Sequence, residues 1–156
     1  MKRSQLDRID RNILKNLQEN GRISNVDLAK NVGISAPPCL RRVKILKNLG
    51  YIRKYYAEID PQKLGYDVSG FVSVKLKDNS EKALQKFEKY VFDLSAVREC
   101  HVIDGKFDLL LKIVSRTKDE YEGFVSKRLE QVTNVEYVEN YLSIRPSKSL
   151  NGVPIE

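Results

Sequence analysis

Four cations in one short stretch, Arg41, Arg42, Lys44 and Lys47, follow Ser35-Ala36-Pro37-Pro38 with no acid among them. Side chains of this kind hold phosphate groups, and arginine can also take guanine O6 and N7 through two parallel hydrogen bonds. Lys54, in the segment RKYYAEI a little further on, adds another cation beside two tyrosines. Hydrolytic or transfer chemistry has a poorer basis. The single histidine, His101, lies in an alternating segment with no Ser/His/Asp or Cys/His pattern, so it reads as a structural or pocket-lining side chain. Cys39 and Cys100 stand far apart without CxxC or Cys/His spacing, which suggests neither a disulfide framework nor a zinc site. They read as small, mostly buried thiols. The residues point to a binding protein without cofactor, metal or catalytic centre.

The elements that must position these cations begin with their distribution. Of 156 residues, 28 are Lys or Arg and 21 are Asp or Glu, a net +7. Residues 1–56 hold 13 of the cations and 4 of the acids, whereas 57–156 hold 15 and 17. All of the excess is in the first third, which favours an anionic partner for that part alone. Composition changes at AEIDPQKLGYD, where Asp60-Pro61 and Gly65 interrupt any regular pattern. The expected organisation is a DNA-binding domain at 1–60, a connector at 61–67, a second domain at 68–146 and a tail at 147–156. No stretch approaches the ~18 apolar residues of a membrane helix, and MKRSQLDRIDRN is polar throughout, so a cytoplasmic location is expected.

In the basic third, Leu6, Ile9, Ile13, Leu14 and Leu17 share one face of a helix that Asn20-Gly21 can end. Ser24-Asn25-Val26-Asp27 has capping-box spacing for a short second helix, with Gly33 placed to close it. Ser35 can cap a third helix, whose prolines are tolerable only in its first turn. Cys39, Leu40, Val43, Leu46 and Leu49 are its expected buried side, leaving Arg41, Arg42, Lys44 and Lys47 on or beside the exposed one. A short helix, a tight glycine turn and a second helix with a one-signed polar face make a helix-turn-helix at about 25–44, whose second helix enters the major groove of double-stranded DNA. Ser35, Arg41, Arg42, Lys44, Lys47 and Lys54 are the expected DNA contacts, with strand-like RKYYAEI lying along the backbone as a wing.

The rest reads as β-α-β-β-α-β, with strands at 68–76, 97–103, 107–114 and 135–145 and helices at 80–94 and 117–132. Asp104-Gly105-Lys106 makes the turn between the middle strands. The fold class is α+β: a winged helix-turn-helix followed by a ferredoxin-like sandwich with both helices on one face of the sheet. Strand 107–114 puts Phe107, Leu109, Leu111 and Ile113 on one side and Leu110 and Val114 on the other. Apolar residues on both faces imply a second subunit, and a two-fold dimer would read paired half-sites about one helical turn apart.

LDRIDRNILKNLQENGRISNVDLAKNVGIS, PPCLRRV and ECHVIDGKFDLLLK together resemble the Lrp/AsnC family of bacterial and archaeal regulators, over about residues 5–146. The resemblance implies transcriptional control linked to amino-acid supply, dimerisation through the sheet and assembly of dimers into octamers. It also places an amino-acid effector, leucine or another, at a loop with Val102, Gly105 and Asp108, with Leu142 and Ser143 near a pocket between dimers. Free N–H groups around Gly105 would take the α-carboxylate and Asp108 the α-ammonium. The chain departs from the family at Lys106, where an Asp is often found, and at Leu109, where a Tyr is expected. Two other protein classes share parts of this architecture. Sirohaem decarboxylases are similar in architecture and would bind a tetrapyrrole in the second domain. RNA-recognition motifs share the β-α-β-β-α-β order, but GKFDLLLKI supplies one Phe where several stacking aromatics are needed.

Overall fold

The computed structural model describes residues 6–148 and 152–156. The first five residues of the expected DNA-binding domain, and 149–151 of the expected tail, lie outside the described residues. The chain divides into two compact units, Met1–Glu58 with Lys148–Glu156, and Ile59–Ser147. The division falls two residues before the expected boundary, and the expected tail, apart from Ser147, belongs to the first unit. Gln18 holds it there: its Nε2 donates to the Val153 carbonyl at 2.8 Å and its Oε1 accepts from the Val153 N–H at 3.1 Å.

In the first unit, α1 (Arg8–Glu19) starts at Asp7, whose carboxylate accepts from the Asp10 N–H at 2.8 Å. In α2 (Asn25–Val32) the expected capping box forms, Ser24 Oγ accepting from the Asp27 N–H and donating to Asp27 Oδ2. Gly33 closes it with φ +74°, a left-handed conformation that a β-carbon would oppose. α3 (Ala36–Asn48) follows after a two-residue turn, with its prolines in the first turn. Ile13, Leu28, Ala29, Val32, Cys39 and Leu46 form the buried core of this bundle.

Leu40 and Leu49, expected in that core, are 45% and 56% exposed. At 100° per residue, Cys39, Val43 and Leu46 cluster within about 60° of one another, while Leu40 and Leu49 sit about 80–100° to either side. The strand-like reading of 53–59 is also corrected: residues 52–60 form no ladder among the described residues. Tyr55 instead packs against the α1–α2 turn, where a β-carbon on Gly21 would lie 3.1 Å from its ring.

The second unit is a four-stranded antiparallel sheet in the order β2-β3-β1-β4, formed by β1 (Val68–Leu76), β2 (Val97–Val102), β3 (Leu109–Ser115) and β4 (Val135–Leu142). This is the ferredoxin-like arrangement. β3 ends one residue later than expected and begins after Phe107 and Asp108, and β4 stops at Leu142. α4 (Glu81–Phe92) and α5 (Lys118–Phe124) cover one face, burying Val72, Val74, Leu76, Phe87, Val91, Leu109, Leu111, Ile113 and Tyr121. The helix expected over 117–132 is α-helical only to Phe124 and continues as a wider π-type turn, Val125–Leu129. Steps of four over-rotate an α-helix by about 40°, and the wider turn takes part of this back, keeping Tyr121, Val125 and Leu129 on the core side.

Tyr121 lies flat beneath Gly70 of β1, where any β-carbon would collide with its ring. Its hydroxyl is fully buried and, among the described residues, has no hydrogen-bond partner. The opposite face of the sheet is open. On it, Phe71, Tyr137 and Tyr141 are 40%, 38% and 52% exposed around half-buried Leu110, Lys112 and Val114, as the alternation along β3 anticipated. Among the described residues, no helix is long and apolar enough to cross a membrane.

Candidate DNA-binding helix and effector loop

α3 sorts its cations by direction. Measured from Cys39, Arg41 and Lys44 project about 140–160° away from the buried side, Lys47 about 80° to one flank and Arg42 about 60° to the other. Arg41 and Lys44 are accordingly exposed and, among the described residues, enter no ion pair. Lys47 Nζ stands 4.8 Å from the Tyr55 ring centre and Lys54 Nζ 5.7 Å from that of Tyr56, which keeps both ammonium groups at the surface.

Arg42 departs from the expectation. Its Nη1 donates to Asp7 at 2.6 Å and to Asp10 at 2.8 Å, clamping α3 to the start of α1. It is therefore a positioning residue for the helix, not one of its outward cations. The Asp10 N–H and then the Arg42 guanidinium hold the Asp7 carboxyl below its ordinary range. The sequence carried a signal for this, because two of only four acids in residues 1–56 are Asp7 and Asp10, one turn of helix 1.

At the start of α3, Ser35 makes no side-chain cap bond and its hydroxyl stays exposed. Pro37 and Pro38 have no N–H to offer, so the anion-facing groups here are the Ser35 hydroxyl and the Ala36 N–H, fewer than a proline-free helix start provides. Asn25 Nδ2 donates to the Ala36 carbonyl at 2.9 Å and fixes α3 against α2.

In the second unit, the loop between β2 and β3 is closed by the Ile103 N–H donating to the Asp108 carbonyl at 2.9 Å. Gly105 has φ +148° and open space around it. Among the described residues, the N–H groups of Asp104, Gly105 and Lys106 find no acceptor, a set of donors suited to a carboxylate.

Asp108 does not face this opening as a free anchor. It is 8% exposed, and its oxygens accept from the Leu76 N–H at 2.8 Å, Lys75 Nζ at 3.1 Å and Asn79 Nδ2 at 3.2 Å. Burial pushes its carboxyl up, but these three donors more than offset that and hold it below the usual value. In this chain Asp108 staples the entry of β3 to the end of β1. Lys106, the departure from the family pattern, pairs with Glu139 at 2.6 Å and lies 4.8 Å from the Phe107 ring centre.

The remaining expected effector residues are not brought together. Val102 is opposite Leu109, which pairs with Val74, while Leu142 pairs with Gly70 on the other side of β1. Three strand spacings across and four residues along separate Val102 from Leu142 by about 19 Å. Val102 is 51% and Leu142 40% exposed, and Ser143 is held by its N–H to the Ser69 carbonyl at 2.9 Å. His101 is exposed, 3.3 Å from Glu99, whose carboxyl is lowered first by Lys112 at 2.9 Å. Cys39 and Cys100 are free thiols, each pushed up by burial.

A three-helix head with outward cations on its third helix, followed by an antiparallel sheet domain with an open N–H loop, defines a DNA-binding regulator with a ligand-binding domain. Residues 6–53 match the family described as winged helix-turn-helix DNA-binding, and residues 69–153 match the Lrp/AsnC ligand binding domain. The chain is 42% identical over 153 residues to the leucine-responsive regulatory protein of Rhizobium meliloti, covering 98% of each. It is 37% identical over 151 residues to that of Escherichia coli K12, covering 97% of this chain and 92% of the relative. A Neisseria meningitidis transcriptional regulator solved with L-Met superposes with a TM-score of 0.91 at 30% identity, over 96% of this chain and 97% of that one. Escherichia coli AsnC gives 0.85 at 25% identity, over 94% and 97%. The chain belongs to the Lrp/AsnC family and is a DNA-binding transcriptional regulator.

Proposed function

We propose that this regulator acts in the cytoplasm as a homo-oligomer, with dimers formed on the open sheet face and assembled further into octamers, and that an amino acid bound between chains alters DNA binding or assembly. The observation that carries this reading is the separation of the effector residues. A single amino acid spans much less than the about 19 Å between Val102 and Leu142, so one chain cannot close a site that uses both. A neighbouring chain that brings its Leu142 and Ser143 to the Val102–Gly105 loop can. The loop N–H groups take the α-carboxylate, and because Asp108 is occupied, the α-ammonium falls to acceptors on the adjoining chain. The relative solved with L-Met supports this class of ligand. The open face suits self-association, with Phe71, Tyr137 and Tyr141 at its apolar centre and the Lys106–Glu139 and Lys112–Glu99 pairs around it.

The head then supplies two copies of α3, with Ser35, Arg41, Lys44, Lys47 and Lys54 toward DNA, to paired half-sites. Mixing experiments test the shared site. Gly105→Val and Leu142→Arg should each abolish binding of L-leucine, or of whichever common amino acid screening identifies, in homo-oligomers. Oligomers mixed from the two variants should recover about a quarter of the sites, in which both contributing corners are native. Failure to recover any site while the mixed oligomers form refutes the shared pocket.

A further inference from the structure

α4 carries its charges sorted by side. Glu81, Gln85 and Glu88 occupy one flank, with Gln85 Nε2 donating to Glu81 Oε1 at 2.7 Å. Lys82, Lys86 and Lys89 run along the other at steps of four and three. That lysine flank is one wall of a groove of about 970 Å³, and Lys127 and Arg128, on the wide turn after α5, stand on the other. Among the described residues, none of these five cations enters an ion pair. Elsewhere among the described residues of the same unit Lys75, Lys106, Lys112 and Lys118 are paired, whereas Lys63, Lys77, Arg98, Arg116 and Arg145 enter no ion pair either. The groove's acids are Asp78 and Asp93, and Asp78 is already engaged by the Ser80 N–H at 2.9 Å. A groove with five cations against two acids is thus cut into a part of the chain, 57–156, that is net acidic.

A solvated helix face normally mixes signs; here the acids of α4 sit about 100° around the helix from the lysines, which leaves a track for an anion. Lys82 to Lys89 spans about 10.5 Å of helix axis, long enough to meet successive phosphates of one DNA strand, with two further cations facing them. A regularly spaced polyanion fits this track, and the head of the same chain brings duplex DNA to the protein. We propose that the groove between α4 and the turn after α5 is a second DNA-contacting surface, which takes the sugar-phosphate backbone of duplex flanking the sequence read by the head. This rests on the assignment of the head to DNA and adds to it a sequence-independent contact.

The test compares salt dependence on short and long duplexes of about 20 and 60 base pairs carrying the same paired site, by fluorescence anisotropy between about 50 and 300 mM KCl. For the full chain, the slope of log affinity against log salt should be steeper on the long duplex. In K82Q/K86Q/K89Q the long-duplex slope should fall by about 2–3, at about 0.9 per phosphate, with the short-duplex slope unchanged. K127Q/R128Q, from the opposite wall, should lose about 1–2 on the long duplex by the same arithmetic. Long-duplex slopes equal to wild type in both variants overturn the proposal. So does a rise in wild-type melting temperature with tripolyphosphate that the triple variant lacks, when DNA slopes are unaltered, because the occupant is then a small phosphorylated ligand. Failure of the wild type to bind the short duplex contradicts the head assignment instead, and the long-duplex slope still reads the groove.

Discussion

Alanine at position 41 or 42 separates two roles that adjacent, chemically identical side chains hold. Arg42 donates two charge-assisted hydrogen bonds, at 2.6 and 2.8 Å, and its side chain is 30% exposed, with Asp10 20% and Asp7 50% exposed. Fully exposed pairs are worth about 0–1 kcal/mol and breaking a buried pair costs about 3–5 kcal/mol. A clamp between these limits places the loss for Arg42→Ala at about 1–2 kcal/mol, or about 5–15 °C in the melting temperature of a unit this small. DNA affinity, measured well below that transition, should stay within about twofold of wild type. Arg41 touches nothing that Arg41→Ala would leave unsatisfied, so its melting temperature should not move, while a lost base contact would cost about 1–3 kcal/mol of binding and relax sequence preference. Calorimetry and footprinting of the two variants decide the matter. If Arg42→Ala melts like wild type but loses DNA affinity as Arg41→Ala does, the clamp assignment is wrong.

Tyr121→Phe removes a buried hydroxyl that, among the described residues, makes no hydrogen bond, so urea denaturation should find it neutral or up to about 1 kcal/mol more stable; a clear loss would show a missed partner. Asp108 has its folded pKa below the ordinary 3.8, so its contribution is complete above the unfolded value and is lost as pH falls through the folded one. Stability should therefore drop in acid below about pH 4, and Asp108→Asn should flatten that drop. An unchanged acid profile contradicts the staple. Gln18→Ala removes both bonds that hold Val153, so carboxypeptidase should trim residues 152–156 faster than in wild type, and equal rates would show that the tail is held by other contacts.

Much of this architecture was legible in local sequence rules. Ser24, Gly33 and the paired prolines mark helix starts and stops because capping and φ restriction act within a few residues, and alternation along 107–114 marks a strand with two apolar sides. The errors arise where partners lie far away in sequence. Arg42 was read by its charge and neighbours, but its direction is set by Asp7 and Asp10, some thirty residues upstream. Asp108 was read as an anchor from its place after Gly105, whereas its oxygens are taken by Lys75, Leu76 and Asn79 of another strand and loop. The segment 53–59 has strand composition, but no strand among the described residues pairs with it. The distance between Val102 and Leu142 follows from strand order, which no local pattern reveals. The groove on α4 did have a local signature, lysines at 82, 86 and 89, that is visible only once the acids at 81 and 88 are set on a separate flank.

The central proposal, that this regulator reads DNA as a two-fold assembly whose grip answers to an amino acid, is tested most directly by selecting bound duplexes from a random pool with the full chain, with and without the amino acid that screening identifies. Enrichment should converge on inverted repeats with half-sites one helical turn, about 10–10.5 base pairs, or a multiple of it apart. Added amino acid should change the yield or the spacing, and Arg41→Ala should blur the half-site. A pool that stays random at a salt concentration where charge alone gives weak binding, or converges identically with and without every amino acid tried, would contradict it.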